Sequence, residues 1–361
     1  MIEFGHGNLL QDDVEALVNT VNTVGVMGKG VALQFKQAFP ANYKAYRAAC
    51  HRGEVRLGRM FVWDSGQLGP RRYIVNFPTK GHWRSASQLS DVRDGLNDLV
   101  RVLGDLEIAS IALPALGCGN GGLRWDDVRP LIEDTLGPLD MEVIVHPPAD
   151  APPARQMVIA TRRPALTFGR AALVAVVAEY ARAAMRERFD LVRPGASLLE
   201  IQKVMYLLQT AGQPLRLDYR KGRYGPYAEN LNPVMQTLEG HYLRGYGDRS
   251  RAVLALDPIE VVDGAEDEAR NWLREHRPDV NESVDEVLAL VRGWESAYGM
   301  ELLATVLFAA HHDDAVRTDP ARATTYVHAW NKRKAATFPD QHVTAAWCHL
   351  SATGWLDRHD V

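Results

Sequence analysis

The sequence predicts an α/β domain, a mixed sheet sandwiched by helices, followed by a mainly α-helical domain. Three observations carry that reading. Over residues 1–150, short apolar runs rich in branched residues alternate with stretches of helical spacing. Two glycine-rich loops lie in the same part, each between such a run and a helix. Beyond Pro147-Pro148-Ala149-Asp150-Ala151-Pro152-Pro153 the spacing is mostly helical, so this stiff segment marks the boundary between domain 1–150 and domain 151–361. A length of 361 residues suits two domains, or at most three.

In the first domain, Ile2 to Gly5 reads as a short strand running into the loop His6-Gly7-Asn8-Leu9-Leu10. Ala16 to Val21 is apolar and branched, hence a buried strand. Val31 begins a helix that Pro40 stops, and Ala41 to His51 is a second, closed by Gly53. Met60 to Trp63 and Tyr73 to Phe77 are strands, and Pro78 is expected to end the latter. Ser90 to Leu103 is a helix, Ser110 to Leu113 a strand, Trp125 to Leu136 a helix and Met141 to Val145 the last strand. In the second domain, Ala171 to Met185 and Ser197 to Thr210 carry apolar stripes, the latter capped by Ser197 and ended by Gly212. Further helices are expected at Pro233–Leu238, Ala265–Glu275, Val284–Trp294 and Glu301–Ala310. Tyr219 to Tyr227 reads as a basic, aromatic loop.

Composition narrows the function. Hydrophobic residues at 46% and charged residues at 24% are ordinary for a globular chain, and a net charge of −4 argues against nucleic-acid binding by charge alone. Cys50, Cys118 and Cys348 lie far apart, which argues against a zinc ribbon or a disulfide framework and fits a reducing cytoplasm. Neither a membrane-spanning run nor a signal peptide is seen, and no metal or cofactor is expected.

The chemistry concentrates in Asn19 to Ala32, where Asn22-Thr23-Val24-Gly25-Val26-Met27-Gly28-Lys29-Gly30-Val31 joins a strand end to a helix start. Glycine leaves no Cβ to block a ligand, and the free N–H groups and dipole of a helix N-terminus favour an anion. The spacing is neither a Walker A loop nor G-x-G-x-x-G. Leu116-Gly117-Cys118-Gly119-Asn120-Gly121-Gly122-Leu123 repeats the arrangement after another strand, so the two loops would enclose a diphosphate from both sides. Between them in sequence, Phe77-Pro78-Thr79-Lys80-Gly81-His82-Trp83-Arg84 puts a lysine at a strand end on the same edge. His6 and His146 read as structural, and Cys118 as a small buried residue.

These paired motifs, with Trp125, resemble the macrodomain family, and within it the branch that holds the terminal-ADP-ribose glycohydrolase and the DarG antitoxins. The resemblance covers about residues 1–150. It implies an ADP-ribose site, with the adenosine end near Gly7, Asn8 and Leu9. The diphosphate and distal ribose would lie between Gly25–Val31 and Gly117–Leu123, beside Thr79. It also implies that Lys80 is catalytic. Human-type members use an acidic residue in the second loop as well; Asn120-Gly121-Gly122 has no carboxylate, so Asn22 is the partner expected for Lys80. Lys80 would act either as proton donor to the leaving base or as nucleophile on ribose C1″. The substrate implied is ADP-ribosylated thymidine in single-stranded DNA, with His82, Trp83 and Arg84 meeting the DNA. Trp83 equally suits a residue pinning its loop to the core. Protein-linked ADP-ribose, O-acetyl-ADP-ribose and a non-catalytic ADP-ribose reader are the alternatives.

The resemblance further implies that the second half, about residues 155–361, binds the cognate toxin DarT, an ADP-ribosyltransferase acting on DNA. Asp257 to Glu286 holds eleven acidic residues against three arginines. That run reads either as a solvated helix face or as a surface fitting a groove built for phosphates.

Overall fold

Apolar residues at every position of 16–18, and at every position of 73–77 but Asn76, suit strands covered on both faces. A computed structural model, which describes residues 1–187, 195–251 and 256–358, builds them into one six-stranded sheet. Its strands are β1 (Ile2–Phe4), β2 (Ala16–Asn22), β3 (Phe61–Asp64), β4 (Tyr73–Lys80), β5 (Ser110–Pro114) and β6 (Glu142–His146). The order is β1-β6-β5-β2-β4-β3, with every neighbouring pair parallel except β3 against β4. Five strands thus deliver their carboxyl ends to one edge.

Helices α1 (Gly30–Ala38) and α2 (Pro40–His51) lie near one face, where Leu17, Ile74 and Ala112 pack with Leu9, Leu10 and Phe35. Helices α3 (Leu89–Asp105) and α4 (Trp125–Leu136) cover the other, where Val18, Val75, Phe77 and Leu113 meet Leu96, Leu99, Val128 and Ile132. Adjacent strand residues take opposite faces, as a pleated strand requires.

The chain divides into two compact units. The first is residues 1–162 with Gly247–Arg251, so it runs past the proline-rich stretch; the second is residues 163–246 and 252–361. The second unit holds α5 (Phe168–Glu187), α6 (Leu198–Thr210), the hairpin β7 (Tyr219–Gly222) and β8 (Gly225–Ala228), and α7 (Asn232–Leu238). A small pair follows, β9 (Leu243–Arg244) with β10 (Glu260–Val261), and then α8 (Ala265–His276), α9 (Val280–Val291) and α10 (Ala297–His312). Four more helices close it: α11 (Asp314–Thr318), α12 (Pro320–Trp330), α13 (Lys332–Thr337) and α14 (Asp340–Ala352). Ser197 caps α6 in a full capping box with Glu200. No helix among the described residues is long and apolar enough to cross a membrane.

Two expectations change. Strand β4 does not stop before Pro78 but continues to Lys80. Its antiparallel neighbour β3 pairs only up to Asn76, so Pro78 sits where that side of β4 is already an edge and no N–H is needed there. The basic, aromatic loop is a hairpin, Tyr219 opposite Ala228 and Gly222 opposite Gly225.

Candidate active site

Asn22 and Lys80 end the neighbouring parallel strands β2 and β4 and face each other in register. The pairing slips by one residue here, from Val21–Pro78 to Asn22–Lys80, and skips Thr79. Thr79 is turned inward, its hydroxyl donating to the Val21 carbonyl at 3.4 Å, while Lys80 is left half-buried at the sheet edge. The Lys80 ammonium donates to the Asn120 carbonyl at 2.8 Å, tying β4 to the second glycine loop. Burial lowers its pKa from the ordinary lysine value.

The Asn22 side chain, only 5% exposed, is spent on the first loop. Its Oδ1 accepts from the Val24 and Val26 N–H groups at 3.1 and 3.2 Å, and its Nδ2 donates to the Val26 carbonyl at 2.6 Å. The Tyr46 hydroxyl donates to the Asn22 carbonyl, and burial raises the Tyr46 pKa, so this donor keeps its proton. The Thr23 hydroxyl donates to the Gly81 carbonyl at 2.8 Å, binding the same loop to the residue after Lys80. Asn22 therefore shapes the loop; no hydrogen bond joins its side chain to Lys80 among the described residues.

Met27 anchors that loop from below, packed with Val21, Tyr46, Ala49 and Val55, and leaves Val24 and Val26 exposed. Among the described residues the N–H groups of Met27, Gly28 and Lys29 donate to no protein acceptor. In the second loop the same holds for Gly119, Asn120 and Gly121. That loop is held by Leu123 N–H to the Gly117 carbonyl (3.1 Å) and Ser87 N–H to the Gly121 carbonyl (2.9 Å). A Cβ on Gly121 would come within 2.3 Å of Ser87 Oγ and 2.4 Å of the Gly117 oxygen, so no larger residue fits. Gly119 faces open space. The loops meet at Gly30, where a Cβ would sit 3.2 Å from Asn120 Nδ2. Two rows of unused amides thus lie on the two loops joined to β4 at Lys80 and Gly81, a donor array of the kind that suits an anion.

Of the expected adenosine-end residues, Leu9 is buried in the core, and only its backbone can reach a ligand. Asn8 accepts from Leu10 N–H at 3.1 Å and donates to the Gln156 carbonyl at 3.1 Å. His146 pairs with Asp12 at 2.6 Å at the end of β6, and Gly5 leaves room for its ring. Burial, with the Asp127 carboxylate, pushes the Cys118 thiol up to about 11, so it stays protonated and is no nucleophile. Trp83 is 46% exposed and does not pin its loop to the core; the Arg84 guanidinium lies 4.5 Å from its ring centre. Sequence reasoning missed Tyr46, Ser87 and the loop role of Thr23. It also missed Asp248, whose partner Gln34 lies 214 positions away and sends no local signal.

An α/β sandwich with two amide-lined glycine loops at one sheet edge defines a macrodomain, and the Macro domain family model matches residues 18–132. DNA ADP-ribosyl glycohydrolase of Thermus aquaticus is 47% identical over 365 residues, covering 99% of this chain and 97% of that one. The protein of that name from Mycobacterium tuberculosis is 43% identical over 351 residues, covering 96% and 98%. A DNA ADP-ribosyl transferase–DNA ADP-ribosyl glycohydrolase fusion protein of Thermosipho africanus is 33% identical over 159 residues, covering 40% and 41%. The chain belongs to the DNA ADP-ribosyl glycohydrolase (DarG) family.

Proposed function

We propose that this protein hydrolyses the N-glycosidic bond between ADP-ribose and thymine in single-stranded DNA, with Lys80 as its catalytic group. One observation carries the reading: a half-buried lysine with a lowered pKa stands at a strand end between two loops of free amides. The amides of Met27–Lys29 and Gly119–Gly121 hold the diphosphate. Asn22 keeps the first loop in shape and acts as a positioning residue. Breaking the bond at ribose C1″ builds positive charge on that carbon and sends the electron pair to the base. As ammonium, Lys80 donates a proton to the leaving thymine; as neutral amine it attacks C1″ and is released by water. Borohydride trapping of a lysine adduct marks the second route. His82, Trp83 and Arg84 take the neighbouring nucleotides, the indole by stacking and the guanidinium by phosphate contact.

The second half, about residues 155–361, binds the cognate DarT transferase and silences it by contact. Support comes from the Thermosipho africanus relative, whose name joins a transferase and a glycohydrolase in one chain. Incubation with ADP-ribosylated single-stranded DNA and, separately, with ADP-ribosylated protein tests the substrate. Release of ADP-ribose from the DNA, abolished in Lys80→Ala, is expected. Release from protein only, or from neither, overturns the reading. A pull-down of co-expressed transferase by the full chain tests the partner, and no complex would remove it.

A further inference from the structure

Two segments outside the matched residues 18–132 lie within the first unit: residues 154–160 and Gly247–Arg251. They contact the elements that flank the site. The Gln156 carbonyl accepts from Asn8, and Ala160 N–H donates to the Gln37 carbonyl of α1 at 2.9 Å. Gly247 lies against Met157, where its Cβ position is 3.5 Å from the methionine Cε. The Arg251 guanidinium donates to the Ala151 carbonyl at 3.1 Å.

Asp248 is the fixed point of this brace. It is 3% exposed, and all three of its oxygens accept hydrogen bonds. Its carbonyl takes the Gly30 N–H at 2.9 Å, Oδ2 takes Gln34 Nε2 at 2.7 Å, and Oδ1 takes Ser250 N–H and Oγ at 2.9 and 2.5 Å. A buried carboxylate so fully satisfied costs free energy to dislodge. It grips α1 at its first residue and again one turn later. Gly30 is also the residue that abuts Asn120, and the amides of Met27–Lys29 lie directly before it.

We propose that Asp248 is a positioning residue for the ADP-ribose site: it fixes the N-terminus of α1, and with it the spacing of the two glycine loops, before a ligand arrives. This rests on the reading that those loops hold ADP-ribose. Preorganisation removes an ordering cost from binding. It does not touch Lys80, which is held from β4 and by the Asn120 carbonyl, so the brace acts on affinity and leaves the bond-breaking step alone.

The full-length chain carries the test, as Asp248→Ala, Asp248→Asn and Gln34→Ala. ADP-ribose affinity is read by calorimetry, and kcat and KM on ADP-ribosylated single-stranded DNA. Asp248→Ala raises Kd and KM roughly tenfold, the order set by loss of a charged hydrogen-bond pair, with kcat within about twofold. Asp248→Asn keeps the Ser250 bonds and can meet a flipped Gln34 amide, so it restores most of the affinity. Gln34→Ala leaves the carboxylate in place and gives the same split at about threefold; it serves alone if Asp248→Ala does not fold. An unchanged Kd in folded Asp248→Ala or in Gln34→Ala, or a loss that falls on kcat, overturns the inference. A wild-type chain that binds no ADP-ribose overturns the underlying reading instead.

Discussion

A charge can be placed in the candidate site at Gly119 without harm to the fold. Nothing lies within 4 Å of a Cβ built there, and its backbone lies outside the left-handed region. In Gly119→Glu the carboxylate extends from a loop whose amides are proposed to hold the diphosphate. At a separation of about 5 Å and an effective dielectric of about 20, each charge pair repels by roughly 3 kcal/mol, or about two decades of affinity. Gly119→Gln adds the same bulk without the charge, so the ratio of the two isolates the electrostatic part, and Gly119→Ala stays near wild type. Calorimetric titration of ADP-ribose at low ionic strength, where screening is least, reads the effect, with melting temperature as the check on folding. A folded Gly119→Glu that binds as well as Gly119→Gln refutes the placement of the diphosphate. Gly121 in the same loop fails differently. In Gly121→Ala the methyl meets Ser87 Oγ at 2.3 Å and the Gly117 oxygen at 2.4 Å, which should cost about 1–3 kcal/mol of stability and lower the melting temperature.

Four other outcomes are expected. Lys80→Ala loses roughly 10²–10⁴ in turnover and keeps ADP-ribose affinity within a few fold, because backbone groups hold the diphosphate; retained hydrolysis of thymidine-linked ADP-ribose sinks the assignment. Burial lowers the Lys80 pKa, so its midpoint in the pH–rate profile falls below 10.5. A rate that climbs with pH through that midpoint marks the neutral amine, and one that falls marks the ammonium. In the second unit, burial pushes Lys203 from 10.5 down to about 7, with the Lys334 ammonium adding to the shift and Glu301 opposing it. Between those values the unfolded chain holds the extra proton, so wild-type stability climbs with pH by up to about 1.4 kcal/mol per unit. Lys203→Met removes that slope. Its stability gap from wild type is largest at pH 7 and below and shrinks toward pH 10.5 in denaturant titrations; a pH-independent gap would refute the buried ammonium cost. Finally, Asp267→Lys with Asp285→Lys slows association with the transferase several-fold at low salt, read by surface-binding kinetics; unchanged rates discard an acidic contact there.

The first unit was legible because its signals are local. A strand end, a glycine run and a helix start follow one another within a dozen residues, twice, and a parallel sheet brings both to one edge. Pro78 was misread because a rule about one strand ignores where its neighbour stops. Helices α11 to α14 went unexpected although the first three carry start signals: Asp313, Asp319 and Asn331 each accept a helix N–H. Helices α11 to α13 bury little, Val316 in the first, Ala323 and Val327 in the second and Lys334 in the third, so no apolar stripe betrays them; the stripe of α14, Val343, Ala346 and Leu350, was passed over. The loop contacts of Asn22 were hidden for another reason. Its place at a strand end was plain, but the loop that folds back onto its amide was not. Asp248 could not be found, since its grip on Gly30 and Gln34 exists only once the chain has folded.

The acidic run from Asp257 to Glu286 shows how far charge counted in sequence stands from charge on a surface. Glu266, Asp267 and Glu268 occupy the first turn of α8, and Arg274 and His276 its last, the arrangement a helix dipole favours on its own account. Glu266 is bridged by Arg182 and Arg270, Glu268 by Arg163 at 2.6 Å, Asp279 by Arg277 at 2.7 Å and Glu286 by Arg358 at 2.8 Å. Arg163, Arg182 and Arg358 lie outside the run, so no count within it could find them. Reversing Glu266, Glu268 or Glu286 would break internal ion pairs as well as any external contact, and a loss of binding would then say nothing about a partner. Asp267 and Asp285 are exposed and carry no ion pair among the described residues, as do Glu275 and Glu282. Asp263 is likewise exposed without an ion pair among the described residues, so a surface that competes with phosphates for a basic groove would draw first on these five, whose charge is not already matched within the run's own neighbourhood.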